Sequence, residues 1–116
     1  MSIKPKRQLV RLSDGAVVIK ELVVADSFWM RLRGLQFRKP LSRDEAWMLA
    51  PCSSIHTCFM SFPIDVIMLN REGMVIDIRH HLKPWRLYVC ARGTRAVVET
   101  ATGAVELSIG DSLQVR

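Results

Sequence analysis

Residues Ile64 to Arg79 read IDVIML-NREG-MVIDIR, and this stretch decides the fold. Two apolar runs rich in β-branched side chains, Ile64 to Leu69 and Met74 to Arg79, flank Asn70-Arg71-Glu72-Gly73. Asparagine opens that turn, and Gly73 stands where the backbone needs a left-handed conformation. The pattern predicts a β-hairpin, so the domain is organised around strands.

Upstream of the hairpin, Ala16 to Val24 (AVVIKELVV) reads as a strand after the turn Ser13-Asp14-Gly15, with Gln8 to Leu12 as its hairpin partner. Asp26 or Ser27 offers an N-cap oxygen, and Gly34 offers a stop. Together they predict a two-turn helix presenting Phe28, Trp29 and Leu32 to the core. Ser42-Arg43-Asp44-Glu45 has capping-box spacing but leads into Ala46 to Ala50, which reads as strand up to Pro51. Ile55 to Phe62 reads as another strand, bent at Pro63 because proline cannot donate to a ladder.

Downstream, Leu87 to Ala91, Ala96 to Glu99 and Ser112 to Val115 read as short strands, and Thr102 to Leu107 as a second short helix. Strand and helix do not alternate at the length a parallel sheet requires. The expected class is α+β and strand-dominated. We expect a mostly antiparallel sheet rolled into a sandwich or partly open barrel, with two short helices.

A chain of 116 residues supports one core, and 49 % hydrophobic with 24 % charged residues is a globular balance. The expected organisation is a basic tail at residues 1–7 and a single domain over 8–116. Apolar stretches fall far short of the roughly 20 residues that span a bilayer, and no signal-peptide pattern follows the charged start. Cys52, Cys58 and Cys90 form neither an even framework nor a CxxC motif, so neither a disulfide scaffold nor a zinc ribbon is expected. The expected setting is cytoplasmic, with no cofactor and no metal. The net charge of +6 favours an anionic partner. Basic residues are scattered and no exposed aromatics alternate with them, which weighs against nucleic acid.

Chemistry-bearing residues concentrate in Ile55 to Val66, IHTCFMSFPIDV. On a strand His56 and Cys58 share a face, about 6 to 7 Å apart. They could supply a base and a thiol, with Asp65 as the orienting group, but residues two apart on one strand splay their tips. A free cysteine among apolar neighbours is more often core. Asp65 lies in an apolar context and must accept hydrogen bonds or meet a cation; Arg86, Arg92 and backbone N–H groups are the candidates. The adjacent His80 and His81 should face opposite ways, so at most one joins a given site. Trp85 stands beside two cations.

Four segments, Arg33-Gly34-Leu35 with Phe37-Arg38, His56 to Val66, Leu82-Lys83-Pro84-Trp85-Arg86 and Ile109-Gly110-Asp111, together resemble the DUF192 family of small prokaryotic proteins. The resemblance runs from about Leu22 to Val115. It implies a compact strand-dominated α+β domain with no established activity, cofactor or catalytic residue. Many members carry Trp-Met-x-x-Thr ahead of the Pro-x-Asp; this chain has His56-Thr57 and Met60 there. Pro63, Asp65, Gly110 and Asp111 look like fold-defining positions of the family, and Gly73 joins them from the turn.

The leading functional expectation is a non-catalytic module that binds a small ligand or a protein through His56, Asp65, Trp85 and Arg86. One alternative is a thiol-dependent hydrolase or transferase using Cys58 with His56. Another is weak binding of nucleic acid or an anionic surface through the basic surplus.

Overall fold

The computed structural model describes residues 7–25, 40–52, 62–84 and 87–116, and the backbone of 54–56. Nine strands follow in order: β1 Arg7–Arg11, β2 Val17–Ala25, β3 Glu45–Leu49, β4 Ser54–His56, β5 Ile64–Leu69, β6 Val75–Leu82, β7 Leu87–Val89, β8 Ala96–Thr100 and β9 Leu113–Val115. Seven of them form one sheet in the order β6-β5-β8-β3-β2-β1-β9, while β4 and β7 form a separate antiparallel ribbon.

The hairpin sits at one end of the large sheet. Asn70 Oδ1 accepts from the amides of Glu72 (3.0 Å) and Met74 (2.9 Å), and Gly73 adopts φ of 83°. That glycine is also a contact point. The amide of Leu113 donates to the Gly73 carbonyl, and a Cβ on Gly73 would stand 2.8 Å from the Leu113 oxygen. The amide of Gly110 donates to Val75 O and that of Val75 to Asp111 O, so the Ile109-Gly110-Asp111 turn joins the same corner. The two edges of the sheet thus touch at one place, while the sheet as a whole is open.

Two layers of apolar side chains cover the two faces. One includes Val23, Trp47, Leu49, Ile64, Val66, Met68 and Val97. The other includes Leu9, Ile19, Leu22, Ala46, Ile67, Leu69, Val98 and Leu113. β5 and β8 lie inside the sheet, and every one of their residues is buried, which is why IDVIML is apolar at every position but Asp65 rather than alternating.

The expected α+β class with two helices and a sandwich or partly open barrel is corrected: the described residues contain no helix, and the main sheet is open and mixed. The helix expected over Thr102 to Leu107 is a turn followed by irregular chain. Gly103 takes φ of 70°, a left-handed conformation in which an α-helix cannot start. Val105 and Leu107 then pack on the second layer at a spacing of two, where a helix would need three or four. The first expected helix, with Phe28, Trp29 and Leu32, lies outside the described residues. β2 and β3 are parallel, from Glu21↔Glu45 to Ala25↔Leu49. The connection over 26–44 exceeds the dozen or so residues that a parallel crossover needs. No helix among the described residues is long and apolar enough to cross a membrane.

Candidate functional site

The site is built around the base of the β5-β6 hairpin, at the end opposite its turn. Ile64 pairs with Leu82 and Val66 with Arg79, so Asp65 alone faces His80 and His81, a β-bulge in β6. The bulge sets His81 at φ of 54°, a conformation a non-glycine residue adopts only when something holds it. Asp65 provides the hold. Its Oδ1 accepts from the His81 amide at 2.8 Å, and its Oδ2 accepts from the Gly103 amide at 2.9 Å and lies 3.1 Å from His80 Nδ1.

Burial, with Asp65 only 4 % exposed, pushes the carboxyl pKa up. The bonds from Gly103, His81 and His80 outweigh it, and the net shift is downward from 3.8. Asp65 is therefore ionised at neutral pH and can only accept, so His80 Nδ1 carries a proton. The His80 side chain is 68 % exposed, which leaves Nε2 for an external partner. On the far side, Gly103 O accepts from Arg43 Nη2 at 3.0 Å. A chain runs Arg43, Gly103, Asp65, His80, with an exposed cationic residue at one end and an oriented imidazole at the other.

Of the candidate residues from the sequence, Asp65 is placed with backbone N–H groups and His80, and no arginine bonds to it among the described residues. Both histidines join the corner, contrary to simple alternation, because the bulge lets one contribute a ring and the other an amide. The backbone of His56 lies in β4, opposite Leu87 of β7. Cys58, Trp85, Arg86 and the His56 side chain lie outside the described residues. Pro63 precedes β5; Asp111 Oδ2 accepts from the Ser108 amide at 2.9 Å within its turn.

Sequence reading missed Glu99. It sits in β8 facing the layer of Trp47 and Val66, and is 2 % exposed. Burial pushes its carboxyl up to about 8. The signal was a lone acid closing the run Ala96-Val97-Val98, inside a strand read as ordinary. Cys90 is half-buried nearby, its thiol pushed up to about 11 by burial first, then by Cys52, Glu99 and Asp77, against the opposing effect of Arg79. Among the described residues no group of three or more His, Cys, Asp or Glu side chains could hold a metal ion.

Fold and corner define a class: small domains built on an open mixed sheet whose edge hairpin is held at its base by a buried carboxylate. The chain belongs to the DUF192 family (uncharacterized ACR, COG1430), whose model matches residues 10–115. It is 36 % identical over 114 residues to a UPF0127 protein of Pyrococcus furiosus, covering 91 % of this chain and 96 % of that one. A UPF0127 protein of Thermococcus sibiricus is 31 % identical, covering 90 % of this chain and 72 % of that one. Two crystal structures share the fold at 20 % identity. A Sinorhizobium meliloti 1021 protein described as a candidate transcription regulator has a TM-score of 0.82, covering 99 % of this chain and 96 % of that one. A Novosphingobium aromaticivorans protein of unknown function has a TM-score of 0.78, covering 94 % of this chain and 83 % of that one.

Proposed function

We propose that the protein is a non-catalytic binding module whose ligand or protein partner presents an anionic group to the Asp65 corner. One observation carries this reading: the hydrogen-bonded chain from Arg43 through Gly103 and Asp65 to His80. Its inner members are Asp65 in β5 and Gly103 in the turn after β8, and its two ends are side chains at the surface. Arg43 supplies charge, and His80 supplies a directional hydrogen bond whose ring orientation costs little to fix on binding. His81 is exposed beside them, and the net charge of +6 draws the same kind of partner. A cytoplasmic setting suits Cys52 and Cys90, neither of which is in a disulfide.

The test is an NMR titration of the isotope-labelled chain with inorganic pyrophosphate and, separately, with an oligoglutamate peptide. We expect saturable amide shifts at Arg43, His80, His81 and Gly103 with at least one of them, abolished by His80→Ala or Arg43→Ala. Saturable shifts at another surface that survive both substitutions, or none at any surface, refute the assignment.

A further inference from the structure

We propose that Cys52 and Cys90 form a redox site, closing to an intramolecular disulfide by exchange with a low-molecular-weight disulfide. The geometry brackets the two residues from both sides. On one side the β4-β7 ladder pairs Ser54 with Val89, so Cys52 and Cys90 leave the same end of the ribbon. On the other, the Cys52 amide donates to Arg95 O at 2.8 Å, and the turn from Ala91 to Arg95 is closed by Thr94, whose amide and hydroxyl both donate to Ala91 O. Cys52 is thereby tied to the turn that begins one residue after Cys90. Both thiols pack on the same apolar layer. Cys52 lies outside the ladder, and its bond to Arg95 O together with packing on one layer, rather than strand register, is what brings the two side chains together.

The two cysteines are both half-buried but differ in surroundings. Cys52 lines an open depression of about 340 Å³ together with Pro51, Thr94 and Arg95. Cys90 has its thiol pushed up to about 11, with burial the main cause and Cys52 the next, which also shows that the two groups feel each other. Cys52 is therefore the attacking thiol and Cys90 the resolving one. The exposed Arg95 at the depression favours disulfides that carry carboxylates, such as glutathione disulfide.

The exchange balances in two steps. The Cys52 thiolate attacks one sulfur of the small disulfide, forming a Cys52 mixed disulfide and releasing one small thiolate, which takes the proton Cys52 gave up. Cys90 then loses its proton and attacks the Cys52 sulfur, releasing the second small thiol. Two protein thiols are oxidised and one small disulfide is reduced to two thiols.

The full chain is incubated with glutathione disulfide and followed by intact mass and peptide mapping. The expected product is two hydrogens lighter than the reduced chain, with Cys52 linked to Cys90, and Cys58→Ser forms it equally. Cys90→Ser stops at a glutathione adduct on Cys52, and in Cys52→Ser or Cys52→Ala glutathione uptake at Cys90 slows about tenfold or more. A bond involving Cys58, a chain left fully reduced, a wild-type chain that stops at the mixed disulfide, or uptake at Cys90 undiminished in both Cys52 variants overturns the proposal.

Discussion

Replacing Asp65 with alanine removes the acceptor for the His81 amide, the Gly103 amide and His80 Nδ1 together. A hydrogen bond to a charged acceptor contributes about 1.5 to 3 kcal/mol net. Gly103 and His81 are exposed enough for water to replace part of what is lost, and His80 is mostly in solvent, so the low end applies. Two backbone bonds at about 1.5 kcal/mol each give a loss of about 3 kcal/mol, with His81 freed from its left-handed conformation. In urea, with an m value of about 2 kcal/mol/M, the midpoint should fall by about 1.5 M at unchanged slope. In a thermal scan Tm should fall by about 10 °C. Asp65→Asn keeps an oxygen for His81 but turns an NH₂ toward two donors, and should lose about 2 kcal/mol. Because the folded pKa of Asp65 lies below its unfolded value of 3.8, its contribution is present above that value. It is lost as the pH falls through the folded pKa, and the Asn variant should lack this part of the acid limb. A loss below about 1 kcal/mol in Asp65→Ala would refute the view that this carboxylate holds the bulge.

Glu99 has the opposite sign. Its folded pKa of about 8 lies above the ordinary 4.5, so the folded state holds a proton the unfolded chain releases, and stability falls as the pH rises between these values. Glu99→Gln should remove that slope, about 1.4 kcal/mol per pH unit, gaining on the order of 3 kcal/mol at pH 7 and little at pH 5. Equal denaturation midpoints for the variant and wild type across this range would contradict a buried neutral acid. Gly73→Ala meets both a positive φ and the Leu113 oxygen, and should cost about 2 kcal/mol while loosening β9, read as faster hydrogen exchange at Leu113 and Val75.

Much of the strand content was legible because it is written locally. β-branched runs, Pro51 and the turn residues Asp14-Gly15 and Asn70 to Gly73 each act on their own neighbours. The strands read at Gln8 to Leu12, Ala16 to Val24 and Ala46 to Ala50 differ from β1, β2 and β3 by a residue at each end, and the hairpin lies where it was read. Thr102 to Leu107 misled because helix propensity is weak, and the left-handed Gly103 with its amide on Asp65 outweighed it. At the candidate site, Asp65 stood out as an acid in an apolar run. Its partners did not, since they lie at sequence separations of 15, 16 and 38.

The sequence by itself determined where the chain extends, where it turns and which family it resembles, since all three depend on residue type and short-range spacing. Tertiary structure alone decided that β2 and β3 run parallel, that β5 and β8 sit inside the sheet, and that one carboxylate meets a bulge and a distant turn. Strand order and register follow from which faces can be buried together, a property of the whole sheet that no single segment encodes. The charge state of Glu99 belongs with them: a glutamate in a strand is ordinary, and burial from both sides of the sheet is what keeps it protonated.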